Sequence, residues 1–65
     1  MRLTIETERE DDGRWLAEVP ELPGVLAYGA TIEDAVRAAR ALAFEILAGR
    51  PRAGEAIDSV HFVAA

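Results

Sequence analysis

Apolar and polar residues alternate along the first part of the chain. The alternation runs from Arg2 to Glu8 and resumes from Arg14 to Val19, with Leu16 as the one large apolar residue on its polar side. A period of two is typical of a strand that has one face in solvent. The Asp12-Gly13 pair between the two segments favours a tight chain reversal. The pattern therefore predicts a β-hairpin.

The segment after the hairpin is rich in proline and glycine. Pro20 and Pro23 remove backbone donors that a strand needs, and Gly24 gives the backbone more freedom. We predict an ordered bend here, followed by a short third strand from Val25 to Tyr28. The bend is expected to hold the sheet edge and the next element in register.

A helical pattern follows the third strand. Thr31 is a favourable N-cap residue, and Asp34 takes the place of the acidic residue in a capping box. Gly49, with a proline two residues later, marks the stop, so the predicted helix runs from Ile32 to Ala48. Its apolar positions form one stripe wide enough to cover a small sheet: Ile32, Ala35, Val36, Ala39, Leu42, Ala43, Ile46 and Leu47.

The chain is predicted to end in a strand. A polar link from Arg50 to Glu55 leads to β-branched and aromatic residues between Ile57 and Val63. The order strand, strand, strand, helix, strand predicts one α+β domain over residues 1–65, an antiparallel sheet with one helix packed on one face. Its main packing residues are expected to be Leu3, Ile5, Trp15, Val19, Val36, Leu42 and Ile46.

One large apolar residue of the helix lies away from the core stripe. Phe44 shares the outer side with Arg37, Ala41 and Ala48, and small neighbours let another backbone come close. Our hypothesis is that Phe44 anchors a protein contact, with a second copy or with a different protein. The alternative is that the chain's own C-terminal residues cover it.

Three further residues are candidates for a protein contact. Glu33 and Arg37 are spaced as an i,i+4 ion pair at the edge of the Phe44 surface. Leu16 is the apolar residue on the solvent side of the second strand. Whether Leu16 and Phe44 belong to one interface stays open.

Composition and charge narrow the classes of function. A chain of 65 residues with 51% hydrophobic and 29% charged residues is typical of a small globular domain. Without cysteine, it must gain stability from packing or from self-association, so we expect a dimer or tetramer. A net charge of -5 argues against nucleic-acid binding through a cationic surface and suits a basic protein partner. No apolar run has the length of a membrane span and the start does not resemble a signal peptide, so a cytoplasmic location is expected.

The acidic residues at the hairpin tip do not predict a metal site. A hard cation needs several oxygens that converge on one point, whereas a hairpin tip spreads its side chains into water. No acidic residue falls within the predicted core stripe, where an apolar pocket could tune a general acid. We therefore expect neither a metal nor carboxylate catalysis.

Nucleophilic and nucleotide chemistry lack their usual residues. His61 is the one histidine, and Ser59 is its near neighbour on the same predicted strand, with no third group to orient them. The chain has no lysine and no phosphate-binding loop motif. We expect no enzyme activity and no cofactor.

The central part of the chain resembles a known signature. The residues from Trp15 onward, WLAEVPELPGVLAYGATIEDAVRAA, are similar to HicB-like antitoxin domains. Those domains have an aromatic-containing strand, Pro-acidic-Leu-Pro-Gly, a strand that ends in Gly-x-Thr, and an acidic-capped helix. The matching stretches are Val19 to Gly24, Gly29 to Thr31 and Glu33 to Val36, and the resemblance covers about residues 3–49.

The resemblance implies a fold and a function. The fold is partly RNase-H-like, without the nuclease's catalytic carboxylates. The function is to bind and neutralise a HicA-like toxin, a small basic RNA-cleaving protein. Full-length antitoxins of the family carry a C-terminal DNA-binding domain, and none follows here, so this chain alone is not expected to bind nucleic acid. The alternative function is that of a homo-oligomeric scaffold or small-ligand-binding domain with no toxin partner.

Overall fold

Four strands and one helix make up the described part of the computed structural model, which covers residues 1–49 and 60–65. The predicted polar link and residues 57–59 of the predicted last strand lie outside these residues. The helix has the predicted bounds. The first three strands differ from the predicted ones by at most one residue at each end, and the last strand ends one residue later than predicted. The elements are β1 (Arg2–Arg9), β2 (Trp15–Glu18), β3 (Leu26–Gly29), α1 (Ile32–Ala48) and β4 (His61–Ala64).

The strands form one sheet in the order β3-β2-β1-β4. β1 pairs antiparallel with β2, and β2 pairs antiparallel with β3. The predicted α+β class and β-β-β-α-β order are confirmed, but the sheet is mixed, because β4 pairs parallel with β1. The physical reason is the helix: α1 carries the chain back after β3, so β4 runs in the direction of β3, which is also that of β1.

The hairpin between β1 and β2 closes as the Asp-Gly pair predicts. The Gly13 amide donates to the Glu10 carbonyl at 2.9 Å, and the Glu10 amide donates to the Arg14 carbonyl at 2.8 Å. Gly13 has a φ of 89°, which fits a type I turn followed by a left-handed glycine. The Asp12 carboxylate accepts hydrogen bonds from the backbone amide and the Nε of Arg14.

The predicted bend is ordered and it contributes to the core. Pro23 and Gly24 occupy the centre of a turn closed by the Val25 amide and the Leu22 carbonyl at 3.1 Å. Gly24 has a φ of 88°, the conformation that a type II turn requires after proline. The turn places Leu22 in the core with 4% exposure, a role that the alternation pattern did not predict.

The helix begins at the predicted cap. The Thr31 hydroxyl accepts a hydrogen bond from the Asp34 amide at 3.1 Å, which satisfies one of the free donors of the first turn. At the other end, the Gly49 amide donates to the Glu45 carbonyl.

Small residues set the distance between helix and sheet. Ala35, Ala39 and Ala43 are fully buried, as is Ala17 on β2. The helix packs mainly on β3 and β2 and makes little contact with β1. The predicted stripe is confirmed, since every member is buried or half-buried. The predicted packing residues are also buried or half-buried: Leu3, Ile5, Trp15, Val19, Val36, Leu42 and Ile46.

We predict that Gly29→Ala destabilises the fold by about 1 to 3 kcal/mol, the usual effect of overpacking. A methyl group at Gly29 would lie 2.5 Å from the backbone nitrogen of Ala35, so the start of the helix must shift. Urea unfolding of the purified variant measures the change. Gly49→Ala is the matched control: the nearest atom would be 3.6 Å away, and we expect equal or slightly higher stability. Equal stabilities for the two variants would contradict the close approach.

Candidate functional site

Phe44 lies on the flank of the helix that faces β4. Its ring is half-buried, and it meets the ring of Phe62 edge-on at 5.5 Å between centroids. The Arg40 guanidinium lies 5.3 Å from the centroid of the same Phe62 ring. The alternative interpretation of Phe44 is therefore supported, because a C-terminal residue of the chain itself covers part of it. A contact with another protein stays a prediction.

The other predicted helix residues form an exposed area around Phe44, which we call the helix surface. It comprises Glu33, Arg37, Ala41, Phe44 and Ala48, and all but Phe44 are exposed. Arg37 forms its ion pair with Asp34, three residues earlier, at 3.2 Å, and not with Glu33, four residues earlier, as predicted. The helix surface is therefore locally close to neutral and offers little free apolar area.

The second surface is the side of the sheet opposite the helix, which we call the open sheet face. Leu16 lies on it half-buried, in register with Tyr28 of β3. Three large apolar side chains of this face are exposed by about two fifths, namely Leu26 (43%), Tyr28 (44%) and Val63 (41%). The Arg14 guanidinium stacks on the Tyr28 ring at 4.4 Å from its centroid and restricts the ring.

Three exposed glutamates share the open sheet face with these apolar residues. Glu6 lies directly opposite Glu18 in the β1–β2 register, and Glu8 lies opposite Leu16. None of the three carboxylates pairs with a described cation or accepts a hydrogen bond from a described residue. The glutamates and Leu16 line a depression of about 430 Å³ that also touches Thr7 and Ala65. The sequence pattern placed these glutamates on the polar side but did not identify them as a site.

A carboxylate in the bend ties β1 to the end of β2. β2 stops at Glu18, opposite Glu6, so Thr4 lies beyond the paired part of the two strands. Instead, both Glu21 carboxylate oxygens accept from the Thr4 amide at 3.0 and 3.1 Å, and one accepts from its hydroxyl at 2.7 Å. The Thr4 hydroxyl, followed by the Thr4 amide, lowers the pKa of Glu21 below its usual value of 4.5.

The predicted bend residues occupy turn positions. Pro20 and Pro23 each follow the first residue of a turn, and Gly24 supplies the left-handed conformation. They hold Leu22 and Val25 in the core, between the end of β2 and the start of β3.

The described residues contain no group of three or more His, Cys, Asp or Glu side chains that could hold a metal ion. His61 is exposed at the start of β4, and Ser59 lies outside the described residues. In the same part of the chain, α1 is too short and too polar to cross a membrane.

Comparison of the chain with protein-family models, with curated proteins and with solved structures finds no match.

We predict that Phe44 and Phe62 are energetically coupled. Replacing each by alanine, alone and together, is expected to give a coupling energy of about 0.5 to 1.5 kcal/mol, the usual value for an aromatic pair. Equilibrium unfolding of the four proteins of the cycle measures it. A second cycle that combines Phe44→Ala with Tyr28→Ala on the other face of the sheet should be additive. Additivity in the Phe44–Phe62 cycle would contradict the contact.

The Glu21–Thr4 contact predicts a pH-dependent part of the stability. The pKa of Glu21 is lower in the folded than in the unfolded chain, so its contribution is complete above about pH 4.5 and is lost as the pH falls through the folded-state pKa. We expect Glu21→Gln to lower the melting temperature at neutral pH, and the difference from the parent protein to shrink in acid.

Thermal unfolding between neutral and acidic pH tests this expectation. Thr4→Val is the matched control, because it removes the hydroxyl donor and keeps the backbone amide. It should cause part of the same loss at neutral pH. A Glu21→Gln difference that stays constant, or grows, in acid would show that the bend carboxylate does not act through its charge.

Proposed function

We propose that this chain is a non-catalytic protein-binding module of the HicB-like antitoxin type, which binds and neutralises a small basic HicA-like RNase. The observation that carries the proposal is the acidic surface. The net charge is -5, and every described Asp and Glu is exposed except Glu10, which is half-buried. An RNase needs a cationic surface to hold the RNA backbone. An acidic domain that covers this surface competes with RNA for the same charges.

The positions of the signature residues support the resemblance. Pro23 and Gly24 form the turn that the Pro-acidic-Leu-Pro-Gly stretch would require, and Thr31 caps the helix. The element order is the β-β-β-α-β order that the resemblance implies. We place the protein in the cytoplasm, because its proposed target cleaves cellular RNA there.

The proposal includes self-association to a dimer or tetramer. The exposed Ala41 and Ala48 let a second helix approach closely, and a small domain gains stability when it buries further surface. Ala41→Arg is the suitable probe for this contact. Phe44→Glu is less suitable, because Phe44 packs on Phe62 and its loss disturbs the fold itself.

The test uses the product of a basic reading frame adjacent to the one for this chain. We expect the two purified proteins to form a stable heterocomplex, measured by light-scattering mass, and we expect the partner's RNase activity to be lost in it. RNA cleavage by the partner alone is the control. A homo-oligomer that leaves every such partner unbound and active, or the absence of any adjacent basic frame, would contradict the antitoxin function. That outcome would favour the scaffold or small-ligand-binding alternative.

A further inference from the structure

The two uncovered surfaces of the domain differ in what they offer a partner. On the helix surface, Arg37 is already paired with Asp34, and Phe44 is partly covered by Phe62. Its remaining residues include two alanines, which contribute little contact area. The open sheet face instead combines large exposed apolar side chains with carboxylates that no described cation neutralises.

We propose that the open sheet face is the surface that receives the basic partner, and this inference rests on the function proposed above. Tyr28 and Leu26 form its apolar part along the edge strand β3. Glu6, Glu8 and Glu18 on the two central strands pair with arginine or lysine side chains of the partner. Tyrosine is among the residues that most often dominate binding energy at interfaces. Its ring is already restricted by Arg14, so little freedom is lost on binding.

The charges argue against a second copy as the occupant of this face. Two sheets that stack face to face lie about 10 Å apart, which is about one Debye length at 0.1 M salt. The face also carries Arg2 at one end and Arg14, which is already paired with Asp12. A symmetric stack centred on β1 and β2 would therefore bring Glu6, Glu8 and Glu18 of both copies into weakly screened repulsion. A basic surface turns the same three carboxylates into attractive contacts and raises the association rate.

The cross-strand register allows a variant that tests binding without lowering the stability of the fold. Glu6 and Glu18 are directly opposed, and like charges at such a pair destabilise a sheet. Glu18→Arg converts this pair into one of opposite charge, so the variant should fold at least as stably as the parent. The same change reverses a charge in the middle of the proposed surface, and binding should suffer.

The experiment measures the affinity of the basic reading-frame product for the parent protein and three variants by calorimetry. We expect Glu18→Arg and Tyr28→Ala each to weaken binding at least tenfold, and Glu18→Arg to leave the melting temperature equal or higher. Glu33→Arg is the matched control, because it makes the same charge change on the helix surface. It should change the affinity less than threefold.

Three outcomes would overturn the inference, and they differ in what they leave standing. Loss of binding with Glu33→Arg but not with the sheet variants would move the interface to the helix surface and leave the proposed function intact. A parent protein that binds no basic partner would contradict both this inference and the proposed function. Self-association that Tyr28→Ala abolishes, measured by light-scattering mass, would show that a second copy occupies the face.

Discussion

The close approach of the helix to β2 and β3 is the constraint on which the rest of the domain depends. Residues without large side chains make it possible, since Ala17, Ala35, Ala39 and Ala43 are completely buried. At the end of β3 even a methyl group is excluded, because the backbone of α1 lies against Gly29. A helix held so close buries backbone as well as side chains, and small residues contribute less apolar area than leucine or phenylalanine would. The core must therefore be completed from elsewhere.

Two segments that are distant from each other in sequence complete the core. α1 packs mainly on β2 and β3, so it leaves the β1–β4 half of the sheet largely uncovered. Phe44 on α1 covers part of that half through its ring contact with Phe62 on β4. On the other side, the bend after β2 places Leu22 and Val25 into the core. The Glu21 carboxylate in the same bend accepts a hydrogen bond from the Thr4 amide, which lies beyond the end of the β1–β2 pairing. The bend is thus a packing element and a hydrogen-bonding element at once.

Much of the fold could be predicted from local patterns, and the main features that local patterns missed involve long-range contacts. Periodicity and capping residues predicted the helix bounds from Ile32 to Ala48, and the Asp-Gly pair predicted the hairpin. The parallel pairing of β4 and the contact between Phe44 and Phe62 depend on where the last strand joins the sheet, which no local period encodes. The glutamates of the open sheet face were visible only as the polar side of a strand. Which of them lie directly opposite one another depends on the register between β1 and β2, and that register is known only from the folded structure.

The residues on which the proposed resemblance to HicB-like antitoxins rests explain the fold better than they explain the function. Gly24 supplies a left-handed turn, Gly29 allows the close approach, and Thr31 caps the helix. These roles are structural, so the three residues support the architecture. They do not identify the partner, which depends on the surface residues. The Glu6–Glu18 pair is different, because like charges directly opposite each other on adjacent strands destabilise a sheet, and small domains are only marginally stable. Packing gives no reason to oppose two carboxylates on adjacent strands beside exposed tyrosine and leucine. The proposed basic partner would give one, because its cations would convert the repulsion in the free chain into attraction in the complex.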